Sequence, residues 1–165
     1  MRLPIAIAAS LLFSLGLSVP VMSQVPLQVK QAGQNTAQNT RELNRNRQLW
    51  NSKNILNYRY TYSNGCFCIP EARGPVVIEV RNGVTTSITS VATGQPVSNP
   101  EFFERYNTIP KLFDVVGEAI AQKADRIDAR YDGQFGYPIQ INIDYSFQQA
   151  DEEVFISIEN FQVIP

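Results

Sequence analysis

The chain has no histidine among its 165 residues, and that absence excludes more chemistry than any residue present suggests. Without an imidazole there is no Ser-His-Asp or Cys-His nucleophile and no histidine ligand for a metal. Methionine occurs twice, as Met1 and Met22, both in the N-terminal apolar region, so thioether ligands are absent from the rest of the chain. Neither common glycine-rich phosphate loop occurs. Cysteine is confined to Cys66 and Cys68. No charge sign dominates: Lys+Arg number 14 and Asp+Glu 15, and loss of Arg2 with a leader would leave a net charge of about −2. A nucleic-acid ligand needs a clustered basic surface, so none is expected. Beyond the N-terminal region no run is apolar and long enough to cross a membrane, so no span is expected in the mature chain.

What is present begins with an export signal over residues 1–23. Arg2 gives a positive start, Ile5 to Val19 is uncharged and apolar, and Val21-Met22-Ser23 has the small residues that signal cleavage requires. Cleavage after Ser23 leaves Gln24 first, and the mature protein is expected to be periplasmic or extracellular. Residues 24–39 (QVPLQVKQAGQNTAQN) are rich in Gln and Asn and read as a flexible leader. Residues 40–165 have the size of one domain with one core.

Periodicity within that domain points to an α+β fold. Leu43, Arg47 and Trp50 share one side of a helix capped at Thr40 and running to about Lys53. Tyr58 to Ser63 alternates aromatic and polar residues as a half-buried strand does. Val76–Val80 and Val84–Val91 flank Asn82-Gly83, a hairpin signal. A three-residue loop with Gly83 left-handed would pair Val80 with Val84, Ile78 with Thr86 and Val76 with Ile88, keeping one apolar face. Asn99-Pro100 opens a short helical segment, and Thr108 caps a helix whose apolar face is Leu112, Phe113, Val116, Ala119, Ile120 and Ala124. Strands follow at Ile127–Tyr131, Ile139–Tyr145 and Val154–Ile158. The order α-βββ-α-βββ with short connections predicts an antiparallel sheet with helices packed on one face.

One ordered set of residues carries a family resemblance. It comprises Trp50, Tyr58-x-Tyr60, Cys66-Phe67-Cys68, Val80-x-x-Gly83, Leu112-Phe113, Tyr131-Asp132, Gly136-Tyr137-Pro138, Ile143-Asp144-Tyr145 and Asp151-Glu152-Glu153. Over roughly Trp50 to Phe161 the chain resembles a family of exported bacterial proteins catalogued as domain of unknown function 6174. The resemblance implies export and a domain boundary; it brings no mechanism.

Three groups of residues are candidate sites. Cys66 and Cys68, two apart on a strand, would face the same way with Cα atoms about 6.5 Å apart, the long limit for a disulfide. A bend from Asn64-Gly65 and Pro70 could close the bond, and an oxidising compartment would favour it. The bond would add at most ~1.6 kcal/mol by closing so short a loop. Unpaired or interchain thiols, a labile redox pair and a two-thiolate Cu(I) site are the alternatives. The acids Asp132, Asp144, Asp151, Glu152 and Glu153 could form a hydrolytic carboxylate pair or hold a cation, but read more simply as turn and strand-edge charges. Tyr58, Tyr60, Tyr62, Phe135 and Tyr137 are candidate contact residues if exposed, and packing residues if they lie beneath the helices.

The sequence therefore points to a non-catalytic exported domain that binds a protein or an envelope component. The alternative is a thiol-based redox or Cu(I)-handling protein centred on Cys66 and Cys68. No catalytic, cofactor-binding or metal-binding residue is assigned, and no cofactor is expected.

Overall fold

The computed structural model describes residues 27–66, 68–148 and 152–165, with side chains from residue 35 onward. The export signal, its cleavage point, Phe67 and Asp151 lie outside the described residues. In chain order the elements are α1 (Leu27–Ser52), β1 (Tyr58–Asn64), the one-turn α2 (Pro70–Arg73), β2 (Val76–Arg81), β3 (Val84–Ser90), a 3-10 helix (Pro100–Tyr106), α3 (Ile109–Ala121), β4 (Arg126–Tyr131), β5 (Pro138–Asp144) and β6 (Val154–Val163). The strands form one antiparallel sheet in the order β3-β2-β1-β6-β5-β4. The architecture is the expected α+β layer. Tyr58, Tyr60, Tyr62, Val76, Ile78, Val80, Ile141, Ile143, Ile156 and Ile158 are buried on the side of the sheet that carries the helices.

The helices follow their apolar stripes. In α3, Ile109, Leu112, Phe113, Val115, Val116 and Ala119 are buried, and the Thr108 hydroxyl accepts a hydrogen bond from the Lys111 N–H, as the capping signal predicts. At Gly117 a Cβ would meet Leu43 Cδ2 of α1 at an ordinary contact distance of 3.7 Å, so the packing of the two helices does not require glycine there. Along α1, Leu43, Asn46 and Trp50 are buried, while Arg47 pairs with Asp114 at 2.9 Å and lies over the Phe113 ring. This helix starts earlier than expected. Its bounds take in Leu27–Asn39, where a flexible leader was read, and Thr40 is an interior residue whose hydroxyl donates to the Thr36 carbonyl. Gln and Ala disfavour a helix little, so the segment extends α1 without an apolar face of its own.

The β2–β3 hairpin corrects the expected register. Asn82 (φ 50°) and Gly83 (φ 77°) both adopt positive φ, and Arg81 faces Val84 across a two-residue turn. The extra residue sits further along: Val80 pairs with Thr85 and Glu79 with Ser87, leaving Thr86 as a bulge. That bulge inverts the phase of β3 and brings Ile88 opposite Ile78 in the core, while Val84 stays exposed. The apolar face is preserved by a mid-strand bulge instead of a bulged loop. A second bulge does the same in β6. The pairing with β1 slips between Arg59 and Thr61, opposite Asn160 at φ 50°, so Phe161 returns to the core side and the strand runs past its expected end at Ile158.

The β4–β5 turn is fixed by one residue. Gly136 has φ +84°, its N–H donates to the Asp132 carbonyl, and a Cβ would stand 2.5 Å from the Asn46 carbonyl oxygen of α1. Both the conformation and the close approach require glycine. Gly136→Ala is expected to destabilise the fold by at least about 2 kcal/mol, read as a lowered urea midpoint with an unchanged slope.

Candidate functional site

The cysteine segment begins where β1 stops. The Gly65 N–H donates to the Phe155 carbonyl at 2.8 Å, and a Cβ on Gly65 would come within 3.2 Å of Phe155 Cβ, so the chain leaves the sheet directly over that side chain. Cys66 and Cys68 lie beyond the strand end and are joined as a disulfide, with their Cα atoms 5.2 Å apart. The bend that the bond needs comes from leaving the extended conformation. Past it, α2 turns the chain back, and Arg73 Nε donates to the Cys68 carbonyl at 2.9 Å. Both cysteines are half-buried.

Among the described residues nothing covers the face of the sheet turned away from the helices. Arg59, Thr61 and Ser63 of β1 continue sideways into Glu79 and Val77 of β2 and into Gln162, Glu159 and Ser157 of β6. Gln140 and Asn142 of β5 stand beside Ser157 and Phe155, and β4 adds Arg126, Asp128 and Arg130. None of these side chains is buried. Near the disulfide this face dips into a groove of about 470 Å³ lined by Ser63, Asn64, Gly65, Gln140, Asn142, Phe155, Ile156 and Ser157. The Ser63 and Ser157 hydroxyls share a 2.6 Å hydrogen bond, and Phe155 is 46% exposed. The groove thus presents one aromatic side chain among hydroxyls and carboxamides, groups that both donate and accept. Sequence reading missed these residues because each was only the polar phase of a strand; their convergence depends on β6 lying between β1 and β5.

The tyrosines are placed differently from a contact surface. Tyr58, Tyr60 and Tyr62 are core residues. Tyr58 Oη accepts from the Ile109 N–H at 3.0 Å, and Tyr60 Oη donates to the Tyr106 carbonyl at 2.8 Å. Tyr137 is buried and stacked on Phe161 at 4.3 Å between ring centroids, with Phe135 half-buried against the same ring. As candidate contact residues these rings are corrected to packing residues: helices α1 and α3 leave their apolar faces on this side of the sheet, and large rings fill the gap.

Burial also sets the tyrosine titrations. Desolvation pushes Tyr58 up to about 12 against the smaller opposing effect of the Ile109 hydrogen bond. Tyr60 and Tyr62 are raised as well, by burial first and then by neighbouring tyrosines.

The described acids do not assemble. Asp132 closes the β4–β5 turn, its Oδ1 accepting from the Gln134 and Phe135 N–H groups at 2.9 and 2.7 Å. Asp144 lies at the opposite end of that strand pair, facing Arg126. Glu152 and Glu153 precede β6. Among the described residues no group of three His, Cys, Asp or Glu side chains is placed to hold a metal ion.

A model of a family of unknown function (DUF6174) matches residues 42–163. The chain belongs to this family. No curated protein and no solved structure matches the chain. The DUF6174 match starts inside α1 and ends at the last residue of β6, so the groove and the disulfide both lie within it.

Two measurements follow from this geometry. A tyrosine raised by burial stabilises the fold fully below the unfolded value of 10.0, and that contribution is lost as pH rises toward the folded value. Stability should therefore fall from pH 10 upward, with Tyr58 alone contributing a loss of about 2 kcal/mol by pH 12, checked by denaturant midpoints across that range. Replacing both cysteines by serine should cost no more than ~1.6 kcal/mol in the same assay, because the closed loop is so short.

Proposed function

We propose that the chain is an exported, non-catalytic binding domain that takes a polyhydroxylated envelope component, a polysaccharide, on the uncovered face of its sheet. The observation that carries this reading is the groove of Ser63, Gln140, Asn142, Phe155 and Ser157. A sugar ring offers an apolar C–H face and a belt of hydroxyls, which suit an aromatic side chain ringed by hydroxyls and carboxamides. A protein partner would favour a larger apolar patch, whereas the apolar residues on this face, Val77, Val84 and Phe155, are dispersed over three strands. Export is supported by the composition of residues 1–23, and a Cys66–Cys68 bond suits an oxidising compartment.

A second reading, thiol–disulfide exchange at Cys66–Cys68, has one observation in its favour: the pair is half-buried beside the groove instead of enclosed in the core. A partner thiolate would attack one sulfur, form a mixed disulfide and release the other as thiolate. Free-thiol titration after incubation with a glutathione redox buffer separates the two readings. A pair that remains oxidised in moderately reducing buffer removes exchange as a function. Cu(I) handling has less support, because the described residues give the two sulfurs no third ligand.

The leading reading is tested by co-sedimentation of the chain beginning at Gln24 with insoluble envelope polysaccharide. Binding is expected to weaken about tenfold or more in F155A and N142A and to survive conversion of both cysteines to serine. Binding unchanged in both groove variants, or no binding to any polysaccharide tried, overturns it.

A further inference from the structure

The fold treats the two edges of its sheet differently. The outer edge of β3 is partly covered by the chain that follows it: Thr89 bridges to Pro96, the Ser90 N–H donates to the Gln95 carbonyl, and the Val97 N–H donates to the Ile88 carbonyl. At the opposite edge, β4 pairs with β5 alone among the described residues. The Ile127 carbonyl of β4 accepts a long hydrogen bond, 3.4 Å, from the Asn39 carboxamide of α1. A cleft of about 970 Å³ opens along this edge, lined by residues 35–39, Glu42 and residues 123–129. Unpaired edges are templates for another strand unless something covers or repels it.

The sequence of β4 says which strand would fit. Arg126, Asp128 and Arg130 are exposed on one face, Ile127, Ala129 and Tyr131 are half-buried on the other, and Asp132 follows. When two copies of such a strand meet antiparallel about a two-fold axis, the register decides which charges face each other. Centring the axis on Asp128 opposes Asp128 with itself and Arg126 with Arg130, which is repulsive. Centring it on Ile127 pairs Arg126 with Asp128 but leaves Arg130 facing Ala124. Centring it on Ala129 sets Asp128 against Arg130 and Arg126 against Asp132, each twice by symmetry, so every charge meets its opposite. The same register places Ile127 against Tyr131 on the helix side, with Ala129 against Ala129 at the axis.

We propose that a second copy of this chain occupies the β4 edge, pairing antiparallel about Ala129 and joining the two sheets into one. The Ile127 carbonyl exchanges its long bond from Asn39 for the N–H of the second copy's Tyr131, and the half-buried Ile127 and Tyr131 side chains cover one another. The small contact along one short strand makes this a concentration-dependent, salt-sensitive dimer.

Sedimentation equilibrium of the chain beginning at Gln24, over a range of concentration and salt, tests the proposal. Wild type is expected to show a monomer–dimer equilibrium that weakens with salt. Asp128→Arg or Arg130→Asp alone should weaken dimerisation about tenfold or more, because each reversal replaces two attractive pairs by two repulsive ones. The double variant D128R/R130D restores opposite charges across the axis and should return to within about threefold of wild type. Circular dichroism checks that each variant keeps its fold. A wild-type chain that stays monomeric throughout overturns the proposal and leaves the edge to a strand from another protein. A dimer unmoved by either single reversal, or not restored in the double variant, overturns it equally.

Discussion

The rest of the structure depends on the burial of Tyr58, Tyr60 and Tyr62 along one face of β1, beneath the helices. Three large rings on one strand form the floor onto which everything else is laid, each contributing roughly 2–3 kcal/mol of transfer free energy before ordering costs. Two of their hydroxyls do more than fill space. Tyr58 accepts from the backbone N–H that opens α3, and Tyr60 donates to the last carbonyl of the 3-10 helix. Both ends of the Tyr106–Ile109 connection are thereby fixed to the same strand. The helical layer is held in register with the sheet by hydrogen bonds as well as by apolar contact, which resists sliding in a way that oil-like packing alone would not.

This arrangement explains why much of the fold could be read in the sequence and some could not. Alternation exposed every strand, and Thr108 announced the α3 cap, because those signals act within a few residues. The β2–β3 register was misplaced because two devices satisfy the same requirement. Asn82-Gly83 accommodates a tight turn, and the phase correction is deferred to Thr86, a residue with no local mark of a bulge. The far end of β6 was lost at Glu159-Asn160 for the same reason: the alternation breaks where Asn160 bulges, and only the neighbouring strand shows that pairing resumes at Gln162. The extension of α1 upstream of Thr40 has no apolar periodicity to reveal it.

The candidate site was legible only in part. Cys66 and Cys68 stood out by rarity, and the bend anticipated from Asn64-Gly65 and Pro70 accompanies the closed bond. Phe155, Gln140, Asn142 and Ser157 did not stand out, since they become neighbours only through long-range pairing. The tyrosines drew notice as surface candidates, and the helices claimed them for the interior. A division of labour results: one face of the sheet holds nearly all the aromatic mass, and the other is left with short hydroxyls, carboxamides and balanced charge. A face built that way is free to meet a hydrated ligand without loosening the core behind it.

The central position of β6 has a consequence for when the protein can fold. The strands β1-β2-β3 and β4-β5 meet only through β6, and β6 is made last. Until residues 154–163 are available, the tyrosine-bearing strand keeps a bare edge and the two partial sheets have nothing to join them. The contacts that complete the core therefore span nearly the full domain and close late, after the largest loop entropy has been met. Without β6, a three-stranded and a two-stranded sheet would share no edge.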